Sequence, residues 1–156
     1  MMTKTKLNPE FFRRHLAVCV LMAGVSCWFG YDAAVTYPQA SAAALYESIE
    51  KSPPPAGFDV EGFKRQKVRR QWEFAALSGL AAVLIGLHLV SVACFRFEYD
   101  ESGFVWNGKR HPLTDVKSVD RARWPGKGIL VLNLESERIV LDAWHHLGVR
   151  EFEKMV

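Results

Sequence analysis

Histidine and carboxylate side chains are the groups in the second half of this chain that could hold a metal ion or move a proton. His145 and His146 are adjacent and follow Asp142 by three and four residues. A histidine pair beside a carboxylate could provide part of a metal site. Protein metal sites need further ligands at a suitable spacing, and the sequence shows none that is recognisable. We therefore expect these two residues and His111 to be surface histidines near strand ends, with no metal bound.

Other catalytic motifs are also missing from the sequence. It contains no glycine-rich phosphate loop, no nucleophile motif and no paired-carboxylate signature. The three cysteines, Cys19, Cys27 and Cys94, lie in or at the edge of apolar segments, and their odd number without Cys-x-x-Cys spacing argues against a disulfide or metal framework. The sequence therefore predicts a protein that is not an enzyme, has no catalytic residue and carries no cofactor.

Basic side chains are the remaining binding candidates, and they form two groups. In the first, strand-like alternation would place Arg121 and Arg123 on one face of a hairpin. The second is a run that precedes the second apolar segment. Either group could hold anionic lipid headgroups or an acidic partner, while a solvated helix or hairpin surface is the alternative interpretation of both. The candidate lipid- or partner-binding residues are Arg121, Arg123, Lys127, Lys64, Arg65, Lys67, Arg69 and Arg70.

Two apolar segments, 15–36 and 72–95, dominate the rest of the sequence. Each is long enough to cross the roughly 30 Å hydrocarbon core of a bilayer, which needs about 20 helical residues. Apolar side chains surround both helices on all faces, as is typical of membrane spans. Small residues recur along them and would let helix backbones approach closely. The helix-packing candidates are Gly24, Gly30, Gly79, Ala82 and Gly86.

Charges at the ends of these segments predict the orientation of the chain. Seven Lys or Arg residues flank the spans on the side of the chain termini and five on the other side, and the more positive side is usually cytoplasmic. The tail 1–14 and the C-terminal domain are therefore expected in the cytoplasm, in a multi-pass protein of the inner membrane. A cleaved signal peptide is the alternative for the first segment, although bulky Trp28, Phe29 and Tyr31 argue against cleavage.

Three ionisable residues, Asp32, Glu73 and His88, fall within or at the ends of the spans. Such residues can mark ion pathways. Two helices enclose no pore without oligomerising, so an oligomeric ion or small-molecule conduit is the least favoured function. We expect His88 to be hydrogen-bonded within a helix contact.

Between the spans, residues 37–71 are predicted to form an extracytoplasmic helical loop. The pair Tyr37-Pro38 should end the first helix, and residues 39–51 are rich in helix-forming residues. A proline-rich segment, 52–57, then interrupts the chain. Asp59 can cap a further helix that continues directly into the second span.

After Cys94 the hydrophobic pattern changes from continuous to alternating, which indicates short strands. Five antiparallel strands are expected within 95–100, 104–107, 116–124, 129–134 and 138–141, followed by an amphipathic helix over 148–156. The predicted fold class is therefore a membrane α+β fold. It consists of a two-helix transmembrane hairpin with a helical loop, followed by a small antiparallel β-domain, 96–156, which forms a curved sheet or partial barrel closed by a C-terminal helix.

Three stretches of this domain carry a family resemblance. They are Gly103-Phe-x-Trp-x-Gly-x-x-x-Pro-Leu-x-Asp-Val-x-Ser-Val-Asp120, Arg123-Trp-x-x-Lys-Gly-Ile129 and Ile139-x-Leu-Asp-x-Trp144. Together with Trp28-Phe-Gly-Tyr-Asp32 and Tyr37-Pro38, this order resembles two-span bacterial membrane proteins with a C-terminal pleckstrin-homology-like domain, a group without an assigned activity. The resemblance implies a cytoplasmic domain. The chain departs from the full fold in having five expected strands where roughly seven are typical.

Charge balance limits the partners. Residues 95–156 contain ten Lys or Arg and ten Asp or Glu, so nucleic-acid binding is not expected. The expected partners are the lipid bilayer and either a membrane protein or a second copy of the chain. These features favour a scaffold or accessory subunit whose small domain contacts proteins or the membrane surface, with a sensor of anionic lipid headgroups as the alternative.

Overall fold

The computed structural model describes residues 2–106, 108–135 and 137–156. The chain divides into two compact units. One comprises the chain up to His15 together with His88–Val156, and the other comprises Leu16–Leu87. The first is an α+β unit and the second is built from helices. Each of the two long helices contributes residues to both units.

Two helices are long and apolar enough to cross a membrane. The first begins as α1 (Pro9–Tyr31) and continues through a π-helical segment (Asp32–Thr36) into α2 (Tyr37–Gln39). Pro38 lies in α2, directly after the π-helical segment, and the helix ends at Gln39, one residue beyond Pro38. The second helix, α4 (Val60–Cys94), spans 35 residues, or about 52 Å. The prediction of two long apolar helices is confirmed.

Local capping defines the helices between the apolar segments. Ser41 begins α3 (Ala42–Glu50), and its hydroxyl accepts a hydrogen bond from the Ala44 N–H at 3.2 Å. The Asp59 carboxylate accepts the Gly62 N–H at 2.8 Å just before α4. The short helix expected within 39–51 and the cap expected at Asp59 are thus both present.

Among the described residues of the α+β unit, nine short strands form three antiparallel sheets. The four-stranded sheet has the order β1 (Thr3–Lys4), β3 (Phe97–Asp100), β4 (Gly103–Trp106), β5 (Lys109–Pro112). The three-stranded sheet has the order β6 (Ser118–Asp120), β7 (Ile129–Asn133), β8 (Arg138–Asp142), and β2 (Lys6–Leu7) pairs with β9 (His146–Leu147). A 3-10 turn (Leu113–Asp115), α5 (Trp124–Lys127) and α6 (Val149–Glu153) connect or follow these strands.

The core of this unit is built by alternate residues of the strands and by one face of α6. Leu130 and Leu132 of β7 and Ile139 and Leu141 of β8 are completely buried, because side chains two apart on a strand point to the same face. Phe152 of α6 completes the core and packs edge-on against the ring of Phe97 at 4.9 Å. The remaining core residues are Tyr99, Phe104 and Val149. The predicted antiparallel sheets and C-terminal helix are confirmed.

Two expectations about the strands are wrong. The segment 1–14, expected to be a tail, contains β1, β2 and the start of α1. These two-residue strands are too short and polar to show an alternating pattern. The strand expected over 116–124 is reduced to β6, because the Asp120 carboxylate accepts the Ala122 N–H at 2.8 Å and turns the chain away from the sheet. Arg121 and Arg123 therefore do not alternate along a strand.

Candidate functional site

Asn8 joins the start of α1 to the turn between β8 and β9. Its side-chain oxygen accepts the Glu10 N–H at 3.0 Å and so caps α1, while its side-chain amide donates to the Trp144 carbonyl at 2.8 Å. The Asn8 backbone N–H donates to the His145 carbonyl, also at 2.8 Å. One nearly buried residue thereby fixes the position of the β8–β9 turn relative to the first turn of α1.

Four of the five histidines meet beside this contact, three of them around the buried ring of Phe11 and the fourth, His146, beside His145. The centroid of that ring lies 4.1 Å from His15, 4.4 Å from His145 and 6.0 Å from His88. The His88 and His145 rings are 5.4 Å apart, and His146 lies 6.3 Å from His145. We call His15, His88, His145 and His146 the histidine cluster. Its members come from α1, α4, the β8–β9 turn and β9.

Hydrogen bonds to carbonyl groups show which ring nitrogen carries the hydrogen in two members of the cluster, His15 and His146. His15 Nδ1 donates to the Phe11 carbonyl at 2.9 Å, and His146 Nε2 donates to the Val92 carbonyl at 3.0 Å. A carbonyl oxygen can only accept, so each of these nitrogens carries a hydrogen. The bond from His146 also ties β9 to the last turn of α4, and its ring stacks on Phe95 at 4.4 Å.

Burial makes the histidines of the β8–β9 segment poor bases. Burial lowers the pKa of His145 below its ordinary value of 6.5, the Asp142 carboxylate partly opposes this effect, and the neighbouring His88, His146 and His15 lower the pKa further. Burial also lowers the pKa of His146, against the opposing effects of its hydrogen bond to Val92 and of Asp142. Both imidazoles are therefore neutral at pH 7.

A cavity of about 250 Å³ opens beside the cluster. Its polar lining is made by His88, His145, His146, Asp142 and Ser91. Asp142 Oδ2 lies 3.7 Å from His145 Nδ1, and Asp142 Oδ1 accepts the His145 backbone N–H at 3.4 Å. Within the described residues, no group of three or more His, Cys, Asp or Glu side chains is arranged to hold a metal ion.

The expectation of surface histidines is wrong for two of the three residues concerned. His111 and His146 are 3% and 4% exposed, and His145 is half-buried. His111 stacks on Phe104 of the core at 5.3 Å. Histidine is amphipathic, and its sequence neighbours do not show whether a ring points inward. His88 contacts the other rings of the cluster, and no hydrogen bond of its side chain is found among the described residues.

The basic hairpin group is only partly free to bind a ligand. Arg121 Nε donates to the Glu153 carboxylate at 2.9 Å, and its guanidinium also donates to the Val156 carbonyl. Arg123 directly precedes α5 and Lys127 lies in the last turn of α5. The structure thus brings Arg121 to α6, where Glu153 neutralises its charge.

The basic run before the second apolar segment lies on α4. Lys64 donates to the carbonyls of Pro38 and Ala40 at 2.9 and 2.7 Å, Arg65 is 3.9 Å from Asp59, and Arg69 pairs with Glu73 at 2.8 Å. Lys67 lies over the ring of Phe63 at 4.8 Å, and Arg70 is exposed. An open groove of about 520 Å³ is lined by Pro38, Glu61, Lys64, Arg65, Val68, Arg69 and Trp72. The three cations of this groove already have partners within the chain.

The helix-packing candidates differ in their surroundings. A side chain at Gly79 would bring its Cβ within 2.9 Å of Ser26 Oγ, and one at Gly86 within 3.8 Å of Cys19 Sγ. Ala82 is buried, and its carbonyl accepts from Cys19 Sγ at 3.3 Å. Ser26 donates to the Ala75 carbonyl at 2.8 Å. At Gly24 and Gly30 an added Cβ would meet nothing within 4 Å.

Asn8, Phe11 and His15 belong to the site although sequence reasoning did not select them. Asn8 followed by Pro9 and Glu10 is a helix-start pattern that could have been found. Phe11 and His15 carry no local signal, because Phe11 contacts Trp144 and His145 and His15 contacts His88, all of which are distant in the sequence. Comparison with family models, curated proteins and solved structures finds no match for this chain.

Proposed function

We propose that this chain is a non-enzymatic, two-span protein of the cytoplasmic membrane whose small domain is a membrane-anchored interaction module. It acts as a scaffold or accessory subunit that holds partner proteins near the membrane surface. The observation that carries the proposal is the compact unit formed by the chain up to His15 and His88–Val156. In that unit the ends of both apolar helices are packed into the β-domain, so the domain cannot act as a freely tethered module.

The exposed surface of the helical unit supports a membrane location. Many large apolar side chains of this unit are more than half exposed, and soluble monomers rarely leave so large an apolar surface in water. Trp28, Tyr31 and Trp72 add exposed aromatic rings near one end of the apolar stretches, as is typical of membrane interfaces. The other exposed residues include Val20, Leu21, Leu77, Leu80, Val83, Leu84 and Leu87.

The strand arrangement supports a pleckstrin-homology-like domain. The unit has a four-stranded and a three-stranded antiparallel sheet, followed by a helix packed into the core. Together the two sheets have seven strands, the number typical of the fold, whereas only five were expected from the C-terminal segment. Two strands add to the five expected: β5, which lies within the C-terminal segment and pairs with β4, and β1, which comes from before the first apolar helix and pairs with β3. This return of the N-terminus explains how a domain of about 60 residues could complete such a fold.

The segments before the first apolar helix and after the second belong to one compact unit, which also supports a hairpin topology. Residues before the first apolar helix pair with residues after the second, as in Thr3 with Tyr99 and Leu7 with His146. Both ends of the chain must then lie on the same side of any membrane that the helices cross. The excess of Lys and Arg on that side favours the cytoplasm.

Protein partners are favoured over lipid headgroups as the ligands of the domain. The ion pair between Arg121 and Glu153 reduces the positive charge that the basic hairpin could offer to a phosphate. In contrast, Val140, Trp144 and Leu147 present exposed apolar surface on β8, the following turn and β9. Aromatic and aliphatic side chains of this kind are typical contact residues at protein interfaces.

Site-specific photo-crosslinking in native membranes tests the proposed function. A benzophenone amino acid would be placed at Val140, Trp144 or Leu147 of the full chain, with Lys51 of the loop as the matched exposed control. We expect discrete protein adducts from at least one domain position and not from Lys51. Adducts with phospholipid alone, or no protein adduct from any of the three positions, would contradict a protein-interaction role.

A further inference from the structure

We propose that the histidine cluster is a proton-sensitive latch, in which acidification releases the ends of α1 and α4 from the β8–β9 segment. The latch consists of His15, His88 and His145, whose rings surround Phe11, and of His146 beside His145. It is closed when the imidazoles of His145 and His146 are neutral and opens when they are protonated. This inference goes beyond the proposed function, since it concerns what controls the attachment of the domain to the helices.

The cluster crowds four imidazoles together, each of which carries a positive charge when it is protonated. Neighbouring ring centroids in the cluster lie 5.4 to 6.4 Å apart. Two unit charges at such distances repel by about 3 kcal/mol at an effective dielectric constant of 20. Each proton that binds to the closed latch therefore makes the next one less favourable.

Little negative charge faces the cluster to compensate these positive charges. Asp142 of β8 faces it, but its Oδ2 lies 3.7 Å from His145 Nδ1, beyond hydrogen-bond distance, and its Oδ1 accepts the Trp144 N–H at 2.7 Å. From α1, the Glu10 carboxylate is paired with Arg14, whose guanidinium lies 5.8 Å over the Trp144 ring and adds positive charge to the same side. Further titratable groups on the packed elements include Arg13 of α1, Arg138 of β8, Lys6 of β2 and the exposed Cys94 thiol at the end of α4.

The neutral rings of His146 and His15 already make hydrogen bonds, of which the bond from His146 joins β9 to α4. His146 Nε2 donates to the Val92 carbonyl of α4, and His15 Nδ1 to the Phe11 carbonyl of α1. A second proton on either ring adds charge to a site packed against Phe95 or Phe11 without being needed for these hydrogen bonds. Burying a charge without a partner is costly, whereas an opened latch exposes the imidazolium to water.

The direction of the pH effect follows from the lowered pKa values of His145 and His146. Because the open state keeps pKa values near 6.5, it binds protons more tightly than the closed state. The stabilisation of the closed latch is therefore complete above about pH 6.5 and is lost as the pH falls from there towards the lowered values. Between about pH 7.5 and pH 5.5, each fully linked histidine increases the opening equilibrium by up to about tenfold.

Amide hydrogen exchange on the full chain in lipid nanodiscs, with EDTA present, tests the latch. Protection factors would be compared at about pH 7.5 and pH 5.5 for residues 8–15, 88–94 and 143–147, with β7 as the internal reference. We expect protection in the three segments to fall by at least about tenfold relative to β7 on acidification. An equal change in β7, or no change in the three segments, would overturn the proposal.

Substitutions test whether the loss of amide protection on acidification comes from the histidine cluster. In His145→Gln the acid response should shrink several-fold, whereas His111→Gln, which changes the one histidine outside the cluster, should keep the full response. Asp142→Asn keeps an oxygen acceptor for the Trp144 N–H but removes the carboxylate, so its acid response should exceed that of the wild type. An unchanged response in both His145→Gln and Asp142→Asn would overturn the latch even if one variant folded poorly.

Discussion

Single residues decide how the start of the first apolar helix is attached to the domain. Asn8 supplies a helix cap, a side-chain donor to Trp144 and a backbone donor to His145. The cap could be predicted from the order Asn-Pro-Glu at positions 8–10, since asparagine is a preferred cap and proline is tolerated in the first turn. The bond to Trp144 could not, because no local pattern relates residues 136 positions apart.

Substitutions of Asn8 distinguish its capping of α1 from its side-chain hydrogen bond to the Trp144 carbonyl. Asn8→Ala should destabilise the domain by about 2 kcal/mol, roughly half from the cap and half from the lost side-chain donor to the Trp144 carbonyl. Asn8→Ser keeps a capping oxygen and should lose only about 1 kcal/mol. Urea unfolding of the full chain in micelles, followed by tryptophan fluorescence, measures both. Equal destabilisation by the two variants would show that the cap contributes nothing.

The secondary-structure elements were predictable to different degrees. Composition alone identifies the two long helices, because a continuous run of about 20 apolar residues has few other stable structures. Alternation identifies β3, and short apolar runs identify β7 and β8; inward residues of all three strands form the core. Neither pattern identifies β1, β2 or β9, which have two residues each, or β5, whose sequence Lys-Arg-His-Pro is polar and ends in proline. These strands depend on their partners rather than on their own sequence.

Packing between the two apolar helices should depend on Gly79 and not on Gly24. Gly79→Leu would force a side chain against Ser26 Oγ and should destabilise the helix pair by about 1–3 kcal/mol, whereas Gly24→Leu adds its side chain where no atom lies within 4 Å of the Cβ. Both variants change glycine to leucine within a helix, so the difference between them isolates the contact. Thermal unfolding in mild detergent, monitored by size-exclusion chromatography, measures this difference. If Gly24→Leu is as destabilising as Gly79→Leu, the contact at Ser26 is unimportant.

At the scale of the whole molecule, two segments that are distant in the sequence, the chain up to His15 and His88–Val156, form one compact unit. The two apolar segments predicted a hairpin, and the charge count, with seven basic residues against five, predicted its orientation. The pairing of β1 with β3 and of β2 with β9 adds a physical constraint, since strands that pair must lie on the same side of a bilayer. The sequence predicted the location of the apolar segments, but the closing of the domain by its N-terminus depends on contacts between distant residues.

Cysteine accessibility in cells measures this arrangement most directly. Lys51→Cys, Thr3→Cys and Glu135→Cys would be introduced singly into a chain whose native cysteines are replaced by serine; all three positions are exposed. A membrane-impermeant maleimide should label only Lys51→Cys in intact cells, and only Thr3→Cys and Glu135→Cys in inside-out vesicles. Labelling of Thr3→Cys and Glu135→Cys from opposite sides, or of all three positions in both preparations, would contradict a two-span protein whose domain is closed by its own N-terminus.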